Sequence, residues 1–193
     1  MAVLPAVETD RLEPACDGFS IAPMQWTVRA WPEGGHILEA DGFAMRCAIG
    51  RSGVRADKRE GDGATPVGRW PLREAFYRPD RMPQPETRLK MTPLDPQAGW
   101  CDAPGDANYN RPVRLPYPAS HEELWRADTI YDVIVVMGYN DDPVVDGKGS
   151  AIFLHLSRSD YSPTAGCVAV QLEDMMKLLA LAGPGTEILV EGA

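Results

Sequence analysis

The chain has 193 residues, of which 44% are hydrophobic, and it contains 18 prolines and 18 glycines. This length fits one domain with a sizeable core, and so many turn-forming residues favour short strands over long helices. The formal net charge of −9 argues against a nucleic-acid partner, which would require a basic face. No apolar run approaches the roughly 20 residues that cross a bilayer, so we expect no transmembrane anchor.

The first 23 residues lack a hydrophobic pattern and contain Pro5, Pro14 and Pro23. They predict a loosely ordered N-terminal arm, followed by one domain over 24–193. No basic stretch followed by an apolar one is visible there, so the sequence shows no secretory signal.

The β-like segments come in three groups along the chain. Residues 26–30, 37–40 and 43–50 predict antiparallel strands, with a hairpin at Asp41-Gly42. A further strand is predicted at 70–77, and the nearly continuous apolar run 131–139 predicts a central one. Strands are also predicted at 151–156, after Cys167 and at 187–190.

Two helices are predicted. Ser120 and Glu123 form a capping-box signature, which predicts a short helix. Residues 173–181 have apolar side chains at helical spacing and are followed by Gly183-Pro184-Gly185, which predicts a C-terminal helix. The Arg78–Asn110 stretch between strands is long, proline-rich and charged, and we expect it to form a lid or a groove wall.

The four cysteines are Cys16, Cys47, Cys101 and Cys167. None lies in a C-x-x-C pair, and the three histidines are scattered, so neither a zinc site nor any cofactor is implied. A Cys47–Cys101 disulfide and two reduced packing cysteines both remain open.

His155 lies in the apolar run 151–156, and a polar loop and a small-residue turn lead from it to Cys167. Two strands joined in this way bring an imidazole and a thiol together, as a nucleophile and its base require. Gly166 lets the backbone approach a substrate closely, and the backbone N–H groups of Gly166 and Cys167 are candidates for an oxyanion hole. The spacing alone also fits two buried packing residues.

Two motifs point to a family. Thr164-Ala165-Gly166-Cys167-Val168, with His155 upstream, resembles the active-site signature of the L,D-transpeptidase (YkuD/ErfK) family. The stretch 58–72, with Thr65-Pro66-Val67-Gly68-Arg69-Trp70, is similar to a second segment of that family, and the resemblance covers roughly residues 40–190. Ala165 and Ala169 depart from it, since many members carry histidine and arginine there, so the chain resembles a divergent member.

The resemblance implies a mainly-β, L,D-transpeptidase-like β-sandwich in which His155 activates Cys167. It implies an acyl transfer that joins peptidoglycan stem peptides in L,D-cross-links through a thioester, in the periplasm or cell envelope. Oxyanion and substrate-binding candidates are Gly166, Thr164, Tyr139 and Asn140, the last two because they follow the strand beside that of His155.

Several alternatives remain open from the residues. A backbone carbonyl, Ser157 or Asp160 would orient the imidazole. Lys58 and Arg59 fit either solvated loop charges or the border of a substrate groove. The same fold also suits a thiol L,D-carboxypeptidase or hydrolase, in which water replaces the amine acceptor, or a non-catalytic cell-wall-binding module.

Overall fold

The computed structural model describes residues 24–192, and the predicted arm over 1–23 lies outside them. The strands are β1 (Gln25–Ala30), β2 (His36–Ala40), β3 (Phe43–Cys47), β4 (Val54–Arg55), β5 (Thr65–Pro66), β6 (Gly68–Tyr77), β7 (Lys90–Pro93), β8 (Ala98–Cys101), β9 (Arg111–Arg114), β10 (His121–Glu123), β11 (Val133–Met137), β12 (Phe153–Leu156), β13 (Val168–Val170) and β14 (Glu187–Val190). Within this range α1 (Leu172–Leu181) is the only helix, and no helix there is long and apolar enough to cross a membrane. The predicted mainly-β fold is confirmed.

Nine strands form one mixed sheet that rolls over on itself. Its order is β13-β12-β11-β6-β14-β1-β2-β3, and β7 pairs with β6 beside this path. Just beyond β3, the Ala48 N–H donates to the Ala169 carbonyl at 2.8 Å, and the Ala169 N–H donates back at 2.9 Å. The two ends of the sheet therefore meet beside the segment that carries Cys167.

Both faces of the rolled sheet carry apolar side chains. Because side chains alternate along a strand, successive residues of one strand pack on opposite faces. In β11, Val133, Val135 and Met137 pack in the inner core, together with α1 side chains. Ile134 and Val136 point to the outer face instead. This explains why the sequence of β11 is continuously apolar.

A three-stranded sheet, in the order β10-β8-β9, covers part of the outer face. Trp100 of β8 packs edge-on against Phe153 of β12, with 5.1 Å between ring centroids. The stretch expected to be a lid or groove wall thus supplies β7 to the large sheet and β8 to this layer.

The predicted short helix after Ser120 is wrong. Residues His121–Glu123 form β10 and pair antiparallel with β8, His121 opposite Cys101. A capping box is a local signal, whereas the ladder with β8 satisfies the backbone groups through a distant segment. The C-terminal helix is confirmed as α1, one residue longer at its start than predicted.

Cys47 and Cys101 are free thiols, both buried. Burial raises the pKa of Cys47 to about 12, so it behaves as a small apolar residue of the inner core. Of the two alternatives left open by the sequence, the structure therefore has the reduced packing cysteines.

Candidate active site

A cleft of about 660 Å³ opens where the outer face of β12 and the Cys167 turn meet the β10 segment. Both Cys167 and His155 line it, as do Thr164 and Gly166. The four residues thus lie around one cavity.

Strand pairing explains how His155 and Cys167 reach the same face. β12 and β13 are parallel, with Leu154 opposite Val168, so Cys167 lies level with Phe153. Phe153 and His155 point to the same face of β12, about 7 Å apart along the strand. The Phe153 N–H donates to Cys167 Sγ at 3.3 Å, which fixes the sulfur at that level.

The thiol of Cys167 is buried, with 6% of the residue exposed. Its S–H donates to the Ala151 carbonyl at 3.2 Å. Burial and, to a smaller extent, the nearby charge of Glu122 raise the pKa of Cys167 to about 12, partly opposed by the Phe153 N–H and Lys58. The resting thiol is therefore protonated at neutral pH.

The imidazole of His155 is buried and neutral at that pH. Its Nδ1 lies 2.9 Å from the Leu156 carbonyl, and a carbonyl only accepts, so Nδ1 carries the proton and Nε2 is the acceptor. Burial lowers the pKa of His155 to about 4, partly opposed by this hydrogen bond. The orienting group is thus a backbone carbonyl, one of the three alternatives left open.

Ser157 and Asp160, the other two alternatives, have different partners. Ser157 Oγ accepts from Gln171 Nε2 at 2.6 Å, and Asp160 Oδ1 accepts from the Ser162 N–H at 2.9 Å. The side chain that packs against the imidazole is that of Tyr131, whose ring lies edge-on to His155 with 5.2 Å between the ring centroids.

Thr164 organises the turn that presents the cysteine. Its Oγ1 donates to the Cys167 carbonyl at 2.7 Å and accepts from the Gly166 N–H at 3.1 Å. The Gly166 N–H is therefore engaged, whereas the Cys167 N–H donates to no residue in the described range. Of the two N–H groups suggested for an oxyanion hole, that of Cys167 is the free one.

The two sequence motifs meet behind Cys167. Thr65 is fully buried, and its Oγ1 donates to the Cys167 carbonyl at 3.3 Å while accepting from the Gly50 N–H at 2.9 Å. Gly166 has φ +143°, and a Cβ there would lie 2.9 Å from the Ala64 carbonyl oxygen. The turn can thus close only on a residue without a side chain.

Tyr139 and Asn140 lie outside the lining of this cleft. Tyr139 follows the inward-facing residues of β11 and packs against Trp70 at 4.9 Å between centroids. The Asn140 side chain donates to the carbonyls of Val145 and Gly149, at 3.0 and 2.8 Å. Both residues shape the loop that leads into β12.

Two charged residues, Lys58 and Glu122, also line the cleft. Lys58 is 4% exposed and pairs with Asp62 at 2.6 Å, so it is no solvated loop charge. Glu122 accepts from the Tyr131 hydroxyl at 2.5 Å, and burial raises its pKa. For Lys58 the structure thus has the groove border, one of the two alternatives left open, whereas Glu122, in the segment predicted as a helix, carried no sequence signal for such a position.

Comparison with known proteins identifies a family. The family model of the L,D-transpeptidase catalytic domain, YkuD, matches residues 25–190. No curated protein and no solved structure matches the chain. Because the family model spans most of the chain and the motif residues converge on one cleft, the chain belongs to the YkuD family of L,D-transpeptidase catalytic domains.

Proposed function

We propose that the chain transfers an acyl group from one peptidoglycan stem peptide to an amine of another, through a thioester on Cys167. The observation that carries the proposal is the shared cleft of a thiol and a neutral imidazole whose Nδ1 is committed to the Leu156 carbonyl. Such an imidazole has Nε2 available to accept the thiol proton. Membership of the YkuD family supports the choice of stem peptides as substrate.

In the first half-reaction, Cys167 Sγ attacks the carbonyl carbon before the terminal D-residue, and His155 Nε2 takes the thiol proton. For this the thiol turns from the Ala151 carbonyl, its partner in the resting state, toward the imidazole. The carbonyl oxygen becomes an oxyanion, for which the unengaged Cys167 N–H is a donor. The C–N bond then breaks, and the leaving amine receives the proton from His155.

In the second half-reaction, an amine of a neighbouring stem attacks the thioester carbonyl. His155 removes a proton from the attacking nitrogen, the C–S bond breaks, and the sulfur leaves as a thiolate that regains this proton. The product is an L,D-cross-link and the free enzyme. Water in place of the amine gives a carboxylate product, which is the hydrolase outcome.

The charge states of the pair determine how the thiol is activated. With the Cys167 pKa near 12 and the His155 pKa near 4, both groups are neutral at pH 7. Proton transfer then accompanies the attack on the carbonyl, in contrast to cysteine enzymes whose thiolate exists before substrate binds. A resting thiol that is slow to alkylate is thus compatible with an enzyme.

The experiment is intact-protein mass spectrometry after incubation with a carbapenem, which offers the thiol a strained acyl donor. We expect an adduct that maps to Cys167 in the wild type and is missing from Cys167→Ala. Cross-linked and hydrolysed products from stem tetrapeptides then separate the transferase from the hydrolase. A wild type that neither carbapenem nor tetrapeptide acylates would favour the non-catalytic wall-binding module.

A further inference from the structure

The cleft is lined by four cationic side chains: Arg51, Lys58, Arg126 and Arg158. Lys58 pairs with Asp62 at 2.6 Å. Arg126 and Arg158 share Asp128, at 2.8 and 3.6 Å. Within residues 24–192, Arg51 is the one of the four without a carboxylate partner.

The backbone of Arg51 is tied to the nucleophile. Its N–H donates to the Thr164 carbonyl at 2.9 Å, and Thr164 Oγ1 donates to the Cys167 carbonyl at 2.7 Å. The preceding residue, Gly50, donates to Thr65 Oγ1, which bonds the same carbonyl. The Arg51 side chain therefore extends from a backbone whose position is fixed relative to Cys167.

The side chain of Arg51 is also held in place. A Cβ added to Gly63 would lie 2.9 Å from both Arg51 Cζ and Nε, so the Arg51 side chain packs against the buried Gly63. The Ser52 N–H donates to the Gly63 carbonyl at 3.0 Å, which keeps the two segments together. The guanidinium nevertheless reaches solvent, because Arg51 is an exposed residue.

We propose that the Arg51 guanidinium binds a carboxylate of the peptide substrate at the rim of the cleft. The planar guanidinium presents paired N–H donors that match the two oxygens of a carboxylate, and here they are positioned and unpaired. This inference rests on the proposed function, in which a stem peptide carries a carboxylate on its terminal D-residue and others within the chain. Arg51 would thereby select and orient the acyl donor.

The test measures how fast three donor tetrapeptides acylate Cys167 in the full chain, by intact mass at subsaturating donor. One donor is native, one has a C-terminal amide, and one has its internal carboxylates amidated. Arg51→Gln should slow acylation by the native donor about 10- to 100-fold, as expected for loss of a charge-assisted pair. It should have no effect with the donor that lacks the recognised carboxylate.

Arg55→Gln is the matched control, since Arg55 is exposed and lies outside the cleft lining. It should acylate at the wild-type rate, and Arg51→Lys should retain part of the preference. Whichever amidated donor abolishes the effect of Arg51→Gln identifies the carboxylate as terminal or internal. Equal slowing with all three donors, or none, would overturn the inference. A wild type that no donor acylates would remove the proposed function, and this inference with it.

Discussion

The Thr65 hydroxyl donates to the backbone carbonyl of Cys167 at 3.3 Å, across 102 positions of sequence. The same hydroxyl accepts from the Gly50 N–H, and Thr164 Oγ1 donates to the same Cys167 carbonyl at 2.7 Å. Two threonines, one from each motif, therefore fix the peptide group of Cys167. The motifs belong together because they build one turn.

Replacing Thr65 by Val tests this role, since Val keeps the shape but removes the hydroxyl. The Gly50 N–H then loses its acceptor in a buried site, and we expect the free energy of unfolding to fall by about 1–3 kcal/mol. Acylation of Cys167 should also slow, because its carbonyl keeps only one donor. Urea unfolding and the carbapenem assay measure the two effects. Thr65→Ser should restore most of both; a Ser variant as impaired as Val would contradict the hydrogen-bond explanation.

Gly166→Ala should damage the site more severely. The residue has φ +143°, and the new Cβ would lie 2.9 Å from the Ala64 carbonyl oxygen. We expect a cost of about 1–3 kcal/mol in stability from the strained backbone. Because the turn must shift to relieve the contact, acylation should fall about 100-fold, as for a displacement of about 1 Å.

The control for Gly166→Ala is Gly105→Ala, where φ is +84° but no atom lies within 4 Å of the new Cβ. This variant carries the backbone strain alone, about 1 kcal/mol, and should acylate normally. Equal acylation rates for the two variants would mean that the Ala64 contact has no part in shaping the turn.

Several elements of the fold were predictable because their signals are local. The alternation in β1 to β3 and the apolar run of β11 come from burial of one or both strand faces. The apolar run, polar loop and small-residue turn predicted two joined strands that carry His155 and Cys167, but only the two motifs of the family resemblance distinguished the pair from buried packing residues.

The remainder depended on pairing that the sequence does not reveal. Tyr139 was expected near His155 and Cys167, but β11 runs antiparallel to β12, and alternation turns Tyr139 to the inner core. The residues at 121–123 became a strand because β8 offered a partner. Lys58 lies in the cleft because of the way its loop folds, and Glu122 because it belongs to that same strand. No periodic pattern in the sequence marks either position.

Asn110 joins the β8–β10 layer to the strand of the site. Its Oδ1 accepts from Trp100 Nε1 and from the Ala151 N–H, both at 3.0 Å. Its Nδ2 donates to the carbonyls of Tyr139 and Asn140, at 3.1 and 2.7 Å. Asn110 is buried, so this network satisfies four backbone or side-chain groups with one amide.

Asn110→Asp replaces only the amide nitrogen by an oxygen, but we expect it to destabilise the protein strongly. A carboxylate oxygen would replace the donor that faces two carbonyls, and the buried charge would lack a partner, which costs about 3–5 kcal/mol. Chemical denaturation at pH 7 measures the loss. Gln84→Glu introduces the same change at an exposed position and should be nearly neutral; similar losses for the two variants would rule out the network as the cause.

The pKa of His155 predicts how stability depends on pH. Its folded-state pKa, near 4, lies below the ordinary value of about 6.5, so the unfolded chain takes up this proton first as pH falls. The contribution of His155 to the free energy of unfolding is thus full above pH 6.5 and is lost as the pH falls toward 4. Between pH 7 and 4.5 we expect a loss of about 2 kcal/mol from this group.

The His155 contribution can be isolated with His155→Gln, which removes the titrating group. Urea unfolding of both proteins from pH 7 to 4.5 should give a difference in stability that shrinks as pH falls. A difference that stays constant over this range would show that the imidazole titrates normally in the folded protein.

The last prediction concerns the thiol before substrate binds. With a Cys167 pKa near 12, alkylation by iodoacetamide should be slow at pH 7. It should rise about tenfold per pH unit up to pH 10 without a plateau, because only the thiolate reacts. Glu122→Gln keeps an acceptor for the Tyr131 hydroxyl but removes the negative charge that raises the pKa of Cys167. It should speed alkylation at fixed pH by up to about tenfold.

Peptide mapping by mass spectrometry follows the alkylation of Cys167 separately from that of the other cysteines. Glu86→Gln supplies the charge-matched control, since Glu86 is exposed and lies outside the cleft lining; its rate should equal that of the wild type. A plateau in the wild-type profile below pH 8 would mean that thiolate and imidazolium already coexist in the resting protein. The proton would then move before substrate arrives, and the first half-reaction would start from an ion pair instead of a neutral thiol and a neutral base.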